Sequence, residues 1–95
     1  FPDALRAVRI VRRRVPVANE ALIVSATEFV GRARALELDK APGLAETIDW
    51  VSALTVLGAS SLGRQDALRT LGAIAKTPDD RDAVAELFES IEGAR

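Results

Sequence analysis

KAPGLAETIDW, residues 40–50, lies near the middle of the chain and carries its only tryptophan. Pro42 and Gly43 interrupt whatever precedes them. Glu46 and Asp49 then load the following turns with negative charge, which the dipole of a new helix favours. Behind them Leu44, Ile48, Val51, Leu54 and Leu57 recur at spacings of three and four, with Thr55 at a polar edge. That period is helical and makes one apolar stripe. The spacing predicts a helix over 43–57 as the central element of a small helical domain, closed by Gly58 just past its end.

Outward from this helix the same period repeats. Asp3 caps a first helix over 4–14, with Ala4, Ala7, Val8 and Val11 on one face and Ile10 beside it. Arg12, Arg13 and Arg14 suit its C-terminal dipole, and Val15-Pro16 ends it. A second helix is predicted from a cap at Asn19 to about Leu36, burying Leu22, Ala26, Phe29, Val30 and Ala33, with Ile23 and Val24 widening the face. Gly31 either weakens this helix or lets another come close. After a loop at 59–63, with Leu62 turned inward, a fourth helix is predicted over 64–75, burying Ala67, Leu68, Leu71 and Ile74. Thr77-Pro78-Asp79-Asp80 then starts a fifth: a cap, a proline at the first helical position and acids in the first turn. Val84, Leu87, Phe88 and Ile91 form its apolar face, which stops near Gly93. No segment alternates with period two. The expected fold is all-α, a bundle of about five helices forming a single domain over 1–95.

Composition removes several kinds of chemistry. At 48% hydrophobic and 28% charged residues the chain has a globular balance. A net charge of −1 gives no argument for nucleic acid or an anionic membrane as partner. No apolar run approaches the roughly 18 residues of a membrane helix. Without cysteine there is no disulfide or thiol chemistry, which fits a cytoplasmic protein. Without histidine the commonest metal ligand and general base are missing. The chain begins at Phe1 and contains no methionine, so a piece of a longer protein is expected.

The remaining candidates each have a plain alternative. Arg12-Arg13-Arg14 could meet phosphate, but also suits a solvated helix end. A DNA-binding pair of helices joined through Ala41-Pro42-Gly43 would turn Glu46 and Asp49 toward phosphates, which is unfavourable. Those two acids could act as acid and base, yet their place in the first turns explains them. Asp79, Asp80 and Asp82 lack the glycine loop of a calcium site, and a capped helix start accounts for them. Trp50 fits a core or interface anchor better than a ligand platform. No GxxxxGK[ST] loop occurs, and no catalytic or metal-binding constellation is visible.

Four stretches read together, FPD (1–3), AVRIVRRRVP (7–16), LDKAPGLAETIDWVSAL (38–54) and ALRTLGAIAKTPDDRDAV (67–84), resemble the C-terminal helical lid of a MoxR-family AAA+ ATPase. The branch is the one often encoded beside von Willebrand A-domain proteins, including those near carbon monoxide dehydrogenase genes. The likeness covers nearly the whole chain, and LDKAPGLAETIDW is its most specific element. It implies that Phe1-Pro2-Asp3 is the corner leading out of a nucleotide-binding core, and that the phosphate-binding loop lies upstream. It implies a lid that closes over ATP and magnesium and changes angle with nucleotide state.

Three nucleotide-contact candidates follow from the resemblance. Ile10, in the step Arg9-Ile10-Val11, looks like the lid residue that packs on adenine; by spacing alone it is equally a flanking core residue. Pro42 and Gly43 stand at the sensor-2 corner, where many relatives carry an arginine reaching the γ-phosphate. Gly43 takes about that place here, so an anion at this corner would meet only the free N–H groups of a helix start. The implied partners are the chain's own AAA+ core, neighbouring subunits of an oligomer and a von Willebrand A-domain protein, in a chaperone-like remodelling or metal-cofactor maturation task. The isolated chain is expected to be no enzyme by itself. The alternatives are an autonomous helical interaction module, docking through Trp50 or an exposed apolar strip, and a small DNA-binding regulator.

Overall fold

Asp3 accepts the backbone N–H of Arg6 through Oδ1 at 3.0 Å, and the first helix begins there. A computed structural model of the chain describes residues 1–93. Among them the order is α1 (Ala4–Arg14), α2 (Glu20–Ala33), α3 (Leu44–Val56), α4 (Arg64–Arg69), a 3-10 turn (Leu71–Ala73) and α5 (Pro78–Gly93), with no strand. The fold is an all-α bundle of five helices. α1, α2 and α3 pack on one another, and α5 closes the assembly against α2, α4 and the 3-10 turn.

Side-chain caps stand where the sequence put them. Asn19 Oδ1 takes the N–H of Ala21 at 2.9 Å, and Thr77 Oγ1 takes that of Asp80 at 3.1 Å. α3 ends in a Schellman motif: Gly58 has φ +83°, its N–H donates to Thr55, and the Ala59 N–H donates to Leu54.

Four expectations need correcting. α2 stops at Ala33, short of Leu36, because its last turn tightens: the N–H groups of Ala35 and Leu36 donate three residues back, to Arg32 and Ala33. The fourth helix is broken. α4 ends at Arg69, since Thr70 turns its hydroxyl onto the Asp66 carbonyl at 2.7 Å and the backbone continues as a 3-10 turn. On α3 the buried face is Thr47, Trp50, Val51 and Leu54, with Leu44 and Ile48 at its edge, while Leu57 is 46% exposed. The indole is the largest side chain to cover, so it turns the helix; Thr47 is tolerated inside because its hydroxyl bonds the Gly43 carbonyl at 2.9 Å. Ala4 is exposed, leaving Ala7, Val8 and Val11 as the packed face of α1.

The core is aliphatic around three aromatic rings. Phe29 of α2 lies between Trp50 of α3, with ring centroids 5.7 Å apart, and Phe88 of α5, edge-on at 5.4 Å. Leu22, Ile23, Val30, Val51, Leu54, Ile74 and Val84 fill the space around them. Each such aliphatic burial contributes about 1.5–3 kcal/mol. The Trp50 indole N–H donates to Thr70 Oγ1 at 2.7 Å, so the hydroxyl that breaks the fourth helix also satisfies the indole. Gly31 has open space around it, so no neighbouring helix requires a glycine there. Leu62 is half-buried against the core.

Candidate functional site

The connection between α2 and α3 is fastened at two points. Past its middle, Asp80 of α5 accepts the backbone N–H groups of Asp39 at 2.8 Å and Lys40 at 3.0 Å. Asp80 is only 3% exposed. A buried carboxylate needs such donors, and here the backbone of a distant segment supplies them. At its end, Arg34 donates from Nη1 to the Pro42 carbonyl at 2.7 Å. The same guanidinium stands 4.7 Å above the ring of Phe1, a cation–π contact. One arginine thus joins the Phe1-Pro2-Asp3 corner to the Ala41-Pro42-Gly43 corner.

Pro42 is buried. Gly43 is the N-cap of α3, and its N–H donates to Glu46 Oε1 at 2.8 Å. A Cβ added at Gly43 would come within 3.3 Å of that oxygen. Glu46 is therefore committed to capping its own helix. Asp49 is exposed.

Ile10 is half-buried on α1 and lines a groove of about 540 Å³ with Asp3, Leu5, Arg6, Arg9 and Arg13. Neither Pro42 nor Gly43 lines it. The fold thus sets the adenine-contact candidate in an arginine-rimmed groove and the two corner candidates beside Arg34. A second groove, about 460 Å³, runs between Phe1, Pro2 and Ala4 on one side and Thr27, Glu28, Gly31 and Arg32 on the other. A cleft of about 250 Å³ lies where Phe29, Leu62, Phe88 and Ile91 meet Ser25, Glu28, Arg32 and Ser61.

The charged clusters separate on inspection. Arg12 binds Glu20 through Nε to Oε1 at 2.8 Å, stapling the end of α1 to the start of α2. That bond holds the Glu20 carboxyl below its ordinary range and raises the Arg12 guanidinium. Arg13 and Arg14 stay exposed. Of the three aspartates at the start of α5, Asp80 is turned inward and Asp79 and Asp82 outward. Among the described residues no group of three or more acidic side chains is gathered closely enough to hold a metal ion. Trp50 is wholly buried, which makes it a core residue and not a docking surface.

Sequence reasoning missed Arg34 and the inward role of Asp80. Asp80 carries the local signature of a helix start, and nothing nearby in sequence marks its partners 40 and 41 positions away. Arg34 follows a helical pattern as one more polar residue. No helix among the described residues is long and apolar enough to cross a membrane. Set against protein-family models, curated proteins and solved structures, the chain matches none of them.

Proposed function

We propose that the chain is the C-terminal lid of a MoxR-like AAA+ ATPase. It closes over ATP and magnesium bound by a separate nucleotide-binding core and converts hydrolysis into movement of neighbouring subunits, serving remodelling or metal-cofactor maturation with a von Willebrand A-domain partner. The observation that supports this reading is the Arg34 bridge. It ties Phe1 to Pro42, in the two corners that the resemblance singles out. A lid that swings as a body needs its entry corner fixed to its nucleotide-facing corner. Ile10, half-buried with arginines around it, offers an apolar patch of the kind that packs on a base.

The test uses the intact polypeptide that contains this chain. Photolabelling with an azidoadenine nucleotide should tag the α1 peptide that includes Ile10, and excess ATP should suppress the tag. A reading frame without a phosphate-binding loop upstream of Phe1 would sink the proposal. The isolated chain should not hydrolyse ATP above a buffer blank.

A second reading draws on the apolar surface. Val17 is 81% exposed and Val56 87%. These residues favour an autonomous helical interaction module, and a folded chain that works without any nucleotide-binding core would support that reading instead.

A further inference from the structure

α1 turns outward a row of charge that nothing among the described residues pairs with. Arg6, Arg9 and Arg13 follow at spacings of three and four and share one side of the helix. They lie opposite Ala7, Val8 and Val11, which enter the core. All three are exposed, and among the described residues none has an ion-pair partner. The groove they line also holds Leu5, an apolar side chain 65% exposed.

α5 carries the complement. Asp79, Asp82 and Glu86 repeat at the same spacings, three and then four, on an exposed side. None of them is paired among the described residues, whereas the next acid, Glu89, is taken by Arg64 at 2.8 Å. Seven residues of helix rise about 10.5 Å, so the two rows have equal length and the same order of gaps. Among the described residues no ion pair joins the two rows within one molecule; α1 packs mainly on α2 and α3, and α5 on α2, α4 and the 3-10 turn.

We infer that the outward face of α1 is an interface for a second copy of this chain, with the arginine row of one copy lying along the acidic row of α5 in the next. The matched order of gaps favours parallel helices, Arg6 beside Asp79, Arg9 beside Asp82 and Arg13 beside Glu86. The contact is head-to-tail. A two-fold arrangement of either row on itself would set like charges together. Paired once, two copies leave the acidic row of one and the arginine row of the other free, so association continues until the free rows close on each other. Exposed ion pairs are individually weak and screened by salt. The contact is therefore weak, favoured at low ionic strength, and helped by covering Leu5. It draws on this chain's own side chains and not on the lid reading, and because Ile10 lies in the same groove, a base packed there and a second copy on the arginine row exclude each other.

Sedimentation of three proteins tests it: the unaltered chain, an Arg6→Gln/Arg9→Gln/Arg13→Gln variant and an Asp79→Asn/Asp82→Asn/Glu86→Gln variant. In low salt the unaltered chain should grow in average mass with concentration, and high salt should return it to monomer. Each variant alone should stay monomeric. Mixed, they should form one-to-one dimers and nothing larger, because each contributes the row the other lacks. The sites are exposed, and helix content by circular dichroism checks that both variants fold; if the α5 variant does not, Asp82→Asn/Glu86→Gln replaces it. The inference is overturned if the unaltered chain is monomeric throughout, if a variant alone associates like the unaltered chain, or if the mixture remains monomeric.

Discussion

The Asp80 carboxylate accepts the backbone N–H of Lys40 at 3.0 Å, across 40 positions of sequence, while its other oxygen takes the N–H of Asp39. This clasp fixes the α2–α3 connection to the first turn of α5. Asp80→Ala leaves two inward N–H groups without an acceptor and should lower stability by about 3 kcal/mol. Asp80→Asn keeps the shape and one acceptor oxygen and should cost about 1 kcal/mol. Urea denaturation followed by helical circular dichroism measures both; equal losses would show that the single oxygen of Asn recovers nothing and that the paired, charged oxygens are required.

The Thr70 hydroxyl accepts from the Trp50 indole and donates to the Asp66 carbonyl at 2.7 Å, with the Ala67 carbonyl also near at 3.2 Å. Thr70→Val preserves the volume and strands the buried indole N–H, at a cost of about 1–3 kcal/mol. Thr70→Ser keeps the hydroxyl and should recover most of that loss. Thermal unfolding of the pair decides whether the hydroxyl or the methyl group matters.

Two glycines should respond with opposite signs. Gly58 holds φ +83°, so Gly58→Ala strains the α3 terminus and should destabilise by about 1 kcal/mol. Gly31 lies in α2 with nothing near an added Cβ, so Gly31→Ala should stabilise by about 0.5–1 kcal/mol. Parallel denaturation curves test this, and a loss at Gly31 would mean the groove beside Phe1 needs that space.

Glu20 should titrate below an ordinary glutamate because of its hydrogen bond from Arg12. A carboxyl with a lowered folded-state pKa stabilises the fold above its unfolded pKa. That contribution disappears as pH falls through the lowered value. Carboxyl-carbon NMR should follow this midpoint, and Arg12→Gln should move it back up to the ordinary range.

The helix order was readable because most of its signals are local. Asp3, Asn19 and Thr77-Pro78 mark their helices within a few residues, and Gly58 its helix end. What escaped notice is non-local. The Thr70 hydroxyl at the end of α4 also accepts an indole N–H from 20 positions earlier, and the buried face of α3 follows the bulk of Trp50. Ile10, Pro42 and Gly43 came from a resemblance, and the fold lines its α1 groove with the first but not the other two. Arg34, which links the two motif corners, sat in the sequence as an ordinary charged residue.

The packing of Trp50 has a practical consequence. Because the chain contains no tyrosine, a single indole dominates its ultraviolet emission. That indole is shut away from water, touches Phe29 and is bonded to Thr70. Any slippage of α3 against the 3-10 turn should redden and alter its fluorescence, giving an intrinsic optical gauge of bundle opening without an attached dye.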